Sequence, residues 1–148
     1  MVDFIGSLNK GLSAAQQAER NKVEIYSVFE VLNTQLVQGF DGKLEINTYT
    51  KANPFANIGV IINEPPKPGY SFIGAVNPLS ETKSPSELAR WKLDSNGYPC
   101  QIITSEDELY CENKEALERG LQDLLSRPDV GEKIYAVMKQ KLKPTKSE

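Results

Sequence analysis

Apolar residues recur along the first third of the chain at helical spacing. Ala18, Ile25, Phe29, Leu32 and Leu36 fall on one face of a 3.6-residue repeat, and Gly39 is placed to end it. Ser13-Ala14-Ala15-Gln16 has the form of a capping box, in which a hydroxyl and an amide satisfy each other's orphan backbone donors, so the pattern predicts a helix starting at Ser13. The stretch Lys22 to Val31 is rich in β-branched residues, and Val23, Ile25, Phe29 and Val31 also fit a two-residue alternation. The helix is preferred because the longer period continues to Leu36.

After Asp41-Gly42 the period shortens to two. Lys43 to Tyr49 alternates as a half-buried strand does, and Ile58 to Asn63 is apolar throughout, as a central strand would be. Glu64-Pro65-Pro66-Lys67-Pro68-Gly69 predicts a loop, since proline lacks the donor a sheet interior needs. Tyr70 to Val76 reads as the next strand. Ser84-Pro85-Ser86-Glu87 is a second capping box with proline at the first helical position, which predicts a short helix. Trp91-Lys92-Leu93-Asp94 and Cys100 to Thr104 flank Asn96-Gly97, predicting a two-residue type I′ turn with positive φ at both positions. Leu109-Tyr110-Cys111 forms a last short strand beyond the acidic turn Ser105-Glu106-Asp107-Glu108.

The end of the chain is helical again. Asn113 can cap a helix with Leu117, Leu121, Leu124 and Leu125 on one face and a Glu115–Arg119 pair on the other. Arg127-Pro128 interrupts it, and Asp129-Val130-Gly131-Glu132 resembles a further capped start, with Val130, Ile134, Val137 and Met138 as the buried stripe. Lys139 to Glu148 is polar and is expected to fray. The resulting order is α-β-β-β-α-β-β-β-α-α. Short connections between strands favour antiparallel pairing, so the expectation is one α+β domain over residues 1–148. It has an antiparallel sheet of five to six strands, with a long N-terminal helix and two C-terminal helices packed on it. Residues 1–12 and 143–148 are expected to be flexible.

At 148 residues the chain is long enough to bury about 70% of its extended surface without disulfides or metals. Hydrophobic residues at 39% and charged residues at 25% keep it clear of disordered compositions. A net charge of −3 gives no general attraction to nucleic acid or anionic lipid, so neither is expected as a partner. No apolar run approaches a membrane span, and the first residues lack the basic start and apolar run of a secretory signal. With two cysteines, no disulfide framework is available, and the cytoplasm is the expected compartment.

Histidine is absent, which excludes a Ser-His-Asp triad or a Cys-His pair within this chain. Zinc would fall to Cys100, Cys111 and carboxylates, an unusual ligand set. Neither phosphate-cradling glycine motif occurs. No cofactor, metal or catalytic residue is therefore expected, and the balance leans away from an enzyme.

Several groupings remain. If the last two strands pair through a two-residue turn at Ser105-Glu106, Thr104 faces Asp107, Ile102 faces Leu109 and Cys100 faces Cys111. Such cysteines could form a redox pair, but two small core residues are the favoured explanation. Glu106, Asp107, Glu108 and Glu112, continued by Glu115 and Glu118, could meet a basic partner, although charges near a helix N-terminus need no ligand to explain them. Pro65-Pro66-Lys67-Pro68 has the spacing of a polyproline ligand, with a stiff loop as the favoured alternative. The lysines from Lys139 to Lys146 lack the interleaved aromatics of a nucleic-acid platform. Trp91, Tyr70, Tyr98 and Phe72 either pack beneath a helix or line a ligand cup between the sheet and the first helix.

The element order resembles that of small acidic secretion chaperones, a likeness of topology alone. That resemblance implies a helix-flanked antiparallel sheet that dimerises and holds a partner's extended segment. The first expectation is thus a non-enzymatic protein-binding module: a chaperone, an inhibitor or immunity-type protein, or an adaptor. Apolar contact is favoured over charge contact, and self-association as a homodimer is included. A small-ligand-binding α+β cup is the alternative, and a histidine-independent enzyme the third.

Overall fold

In the computed structural model, which describes residues 1–51, 69–82 and 84–144, the first helix begins well ahead of Ser13. Asp3 is its N-cap, accepting a 2.9 Å hydrogen bond from the Gly6 amide, and α1 runs Phe4–Gly39. The Ser13 box lies inside it. A capping pattern satisfies orphan donors only where the chain is not already helical, and the Asp3 cap starts the helix earlier. Residues 22–31 are helical, as the longer period required.

Five strands follow: β1 (Glu45–Lys51), β2 (Tyr70–Val76), β3 (Ser86–Asp94), β4 (Gly97–Ile103) and β5 (Glu108–Cys111). They form one antiparallel sheet in the order β1-β2-β3-β4-β5, each pairing with the next in sequence. Two helices end the fold, α2 (Lys114–Leu125) and α3 (Pro128–Met138). The expected α+β class, with the long helix first and two helices last, is the observed one. The strand expected at 58–63 and most of the proline loop lie outside the described residues.

The short helix expected at Ser84 is instead the start of β3. Pro85 stands just before the strand, where a missing donor breaks no ladder bond, and pairing of Ser86 to Trp91 with β2 outweighs a local cap signal. A register shift between Ile73 and Gly74 lets consecutive Leu88 and Ala89 both be buried. The hairpin at Asn96 also differs from expectation. Asp94 pairs with Gly97, so Ser95 and Asn96 are the loop residues, and only Gly97 of the pair has positive φ, at 89°. The Asp94 carboxylate accepts a 2.9 Å bond from the Asn96 amide, which holds the chain in an ordinary turn followed by a glycine bulge rather than in a type I′ turn.

Ile25, Val28, Phe29 and Leu36 of α1, Leu117, Leu121 and Leu124 of α2, and Val130 and Val137 of α3 join one core with inward strand residues. Among these are Ile46, Ile73, Ala75, Trp91, Cys100, Ile102 and Cys111. Trp91 meets Phe29 edge-on, with ring centroids 5.7 Å apart. Gly120 lets α2 approach the sheet, since a Cβ there would lie 3.2 Å from Ile102 Cδ1 and 3.3 Å from Cys111 Sγ.

Asn113 caps α2 as expected, accepting from the Ala116 amide at 2.8 Å. Glu115 and Arg119 form no ion pair, whereas Arg127 pairs with Asp107 and Asp123. α3 starts at Pro128 with Arg127 at the N-cap and no side-chain cap, so Asp129 lies inside the first turn. The stretch expected to fray is pinned through Lys143. Buried Asn77 donates to the Val137 and Met138 carbonyls at the end of α3, the Glu81 amide donates to the Lys141 carbonyl at 2.9 Å, and Ser80 bridges Leu142. Sequence reading missed this because the anchors come from a loop some sixty positions away.

Candidate partner-binding surface

Strand alternation divides the sheet into two unlike faces. With the core on one side, the register Tyr49↔Phe72, Phe72↔Arg90, Arg90↔Ile103 and Ile103↔Glu108 lays one row of side chains across the other. Phe72 is buried yet stands apart from the core cluster. Its neighbours are Tyr49 at 5.7 Å and Tyr70 at 6.1 Å between ring centroids. The Arg90 guanidinium lies 4.2 Å from the Tyr70 ring centre, with Lys51 at 6.0 Å. At the far side Tyr110 is 59% exposed and donates to the Glu108 carboxylate at 2.9 Å.

Burial raises the Tyr49 pKa, and the bond to Glu108 raises that of Tyr110, because the carboxylate accepts only from the protonated phenol. Both therefore present neutral hydroxyls. The row combines Tyr, Phe, Arg and Ile, with aromatic and arginine side chains of the kind that carry binding energy in protein contacts.

The aromatics singled out in sequence separate. Trp91 is in the core beneath α1, and the Tyr98 hydroxyl donates to Glu24 of α1 at 2.7 Å. Tyr70 and Phe72 belong to the opposite face. The space in which a cup would open between α1 and the sheet is filled by Phe29, Trp91 and their neighbours. Surface clefts of about 330 to 390 Å³ occur elsewhere, one of them between β5 and α2.

Of the acidic group, Asp107 is engaged within the fold. Arg127 donates to it at 2.9 Å and to Asp123 at 2.7 Å, and Thr104 donates to it as well. The Arg127 bond holds the Asp107 carboxyl below its usual range, the Thr104 hydroxyl assisting. Glu108 accepts from Tyr110, while Glu106 and Glu112 are exposed. The acidic residues are thus split between fold and surface. Arg127 was missed in the sequence, though its i,i+4 spacing from Asp123 was a signal.

Cys100 and Cys111 pair across β4 and β5, as the two-residue turn required. Both are free thiols, 0% and 1% exposed. Their contact with one another, then burial, push the Cys100 thiol upward. Among the described residues no three His, Cys, Asp or Glu side chains converge as a metal site would need, and no helix is long and apolar enough to cross a membrane. The proline motif lies outside the described residues. Comparison with protein-family models, with curated proteins and with solved structures finds no match for this chain.

Proposed function

We propose that this chain is a non-enzymatic protein-binding module of the chaperone, inhibitor or adaptor kind, and that the sheet face opposite the described helices takes an extended apolar segment of a protein partner. One observation carries the proposal. The buried residues of the three described helices gather on one side of the sheet, and among the described residues no element packs over the row from Tyr49 to Glu108 on the other. A flat row of Tyr, Phe, Arg and Ile suits a segment that lies across the strands, with aromatic faces to contact and neutral hydroxyls to bond its backbone. Filling of the space under α1 favours this reading over the small-ligand cup.

Affinity capture from the source cell, with the wild-type chain and Tyr110→Asp as baits at low and high salt, tests it. A stoichiometric partner retained by the wild type at 1 M salt and lost by the variant supports the proposal. Loss of the partner as the screening length falls from about 10 to about 3 Å would instead place the contact on exposed charges such as Glu106 and Glu112. Equal retention by both baits would remove the sheet face from the account.

A further inference from the structure

The first seventeen residues form a surface that the rest of the fold does not use. Every residue before Ala18 is exposed except Gly6, which is half-buried by the Asp3 cap. α1 spans 36 residues, about 54 Å at 1.5 Å per residue, yet its buried positions begin only at Ile25. Its first tight contact with the body is at Asn21, whose Nδ2 donates to the Asn96 carbonyl at 2.8 Å. On the projecting part Phe4 is 76% exposed, Ile5 74%, Leu8 62% and Leu12 51%. These do not lie at random. Phe4, Leu8, Gly11, Ala15 and Ala18 continue, at alternating spacings of four and three, the stripe that enters the core as Ile25, Phe29, Leu32 and Leu36.

We propose that a second copy of this chain packs antiparallel on this projecting part of α1. The order of side-chain sizes along the helix selects that occupant. In a two-fold antiparallel pair that sets Phe4 against Ala15, Leu8 falls against Gly11, and along one flank Ile5 of each copy lies beside Leu12 of the other. Phe4 and Leu8 thereby each meet a small residue at the seam, so the two helices approach closely, and Ile5 and Leu12 close over one flank. A parallel pair would set Phe4 on Phe4 and leave a gap at Gly11, where a Cβ meets nothing within 4 Å in the single chain.

Charge fits the same register. The stripe carries none before Lys22, and its flanking residues Ile5, Ser7, Leu12 and Ala14 are uncharged, so no like charges meet. The partner's Phe4 at Ala15 falls at a cleft of about 380 Å³ that Ala14, Ala15 and Ala18 form with Ser95 and Asn96 of the β3–β4 turn. The four side chains and their flanks bury roughly 500 Å² per copy, or about 1,000 Å² in the pair, the lower bound for a specific interface. A reversible dimer is the expected result. With Asp3, Lys10, Glu19 and Arg20 nearly cancelling, the helix has no charge bias toward anionic lipid, and the size complementarity has no counterpart in a bilayer.

The test uses the full chain. Sedimentation across a concentration series should show the average mass rising toward twice that of the monomer, and Leu8→Asp should weaken the association at least ~10-fold, as expected for placing a carboxylate in an apolar contact. Circular dichroism should be unchanged, because Leu8 is exposed and lies outside the core. Register is read by oxidative cross-linking. Phe4→Cys mixed with Ala15→Cys should give a disulfide-linked pair, while Phe4→Cys alone should not. Cross-linking of Phe4→Cys with itself would establish a parallel pair and overturn the proposal. So would a chain that stays monomeric throughout, or a dimer indifferent to Leu8→Asp. A monomer that floats with neutral phosphatidylcholine vesicles would assign the stripe to lipid instead.

Discussion

Replacing Gly97 by valine probes one contact between α1 and the sheet. Gly97 has φ of 89°, where an L residue is strained by about 1–2 kcal/mol and a β-branched one by more. Its position also has no room. An added Cβ would lie 2.8 Å from Asn21 Cβ and 3.3 Å from both the Asn21 carbonyl carbon and the Lys22 nitrogen. Two of those atoms are helix backbone, so relief requires the turn to move away from α1, at an overpacking cost of about 1–3 kcal/mol. Movement breaks the Asn21 to Asn96 bond as well, worth about 1 kcal/mol. Gly97→Val should therefore lose about 3–5 kcal/mol of stability. Trp91, the only tryptophan in the chain, is buried against Phe29 and reports unfolding in urea by its fluorescence. A loss below about 1 kcal/mol would mean that the turn adapts freely, and the account of its packing on α1 would fail. The overlap and the backbone strain separate in a cycle of Gly97→Ala with Asn21→Gly. Removing Asn21 Cβ should recover about 1 kcal/mol of the alanine penalty and leave the strain at φ of 89° in place.

Leu121→Ala should cost about 2–5 kcal/mol in the same urea assay, since the side chain is 4% exposed within the core; a loss under about 0.5 kcal/mol would refute that packing. Asp107 has a pKa lowered by Arg127, so its contribution to stability is present above the unfolded carboxylate value of about 4 and is lost as pH falls through the folded value. The stability difference between wild type and Asp107→Asn should accordingly shrink on acidification, and a difference independent of pH would contradict the pairing. Cys100 and Cys111 should react with a thiol reagent only as fast as the protein opens, and no hydrolytic turnover should depend on either; labelling at the rate of an exposed thiol would show the strands to be differently arranged.

What the sequence made legible was periodic or local. The β4–β5 register followed from one two-residue turn, because fixing a single pair in an antiparallel hairpin fixes all the others, Cys100 with Cys111 included. The buried faces of α1 and α2 and the Asn113 cap were legible for the same reason. Errors came where a local signal met a distant contact. Ser84-Pro85-Ser86-Glu87 has the form of a helix start, but β2 supplies ladder partners that no inspection of four residues can reveal. Asn77 caps the end of α3 from a loop, and Arg127 joins α2 to the β4–β5 turn; both depend on the assembled fold. Phe72 was the hardest to place. Its alternation with Ile73 shows that the two point to opposite faces, yet both are buried, so burial does not tell which face holds the main core.

The described helices come from before β1 and after β5. Here both groups go to one side, where together they complete the core. On the other face Phe72 has Tyr49 and Tyr70 beside it, with Arg90 stacked on Tyr70. A side chain shielded by tyrosines and an arginine can exchange those contacts for equivalent ones with a partner while the main core stays closed. The projecting half of α1 has no such internal shielding, for Phe4, Ile5, Leu8 and Leu12 stand beyond the reach of the sheet. The two surfaces therefore differ in physical character: the sheet face is covered by movable polar-tipped side chains, whereas the helix stripe is bare and carries its own large-to-small complement in reverse order.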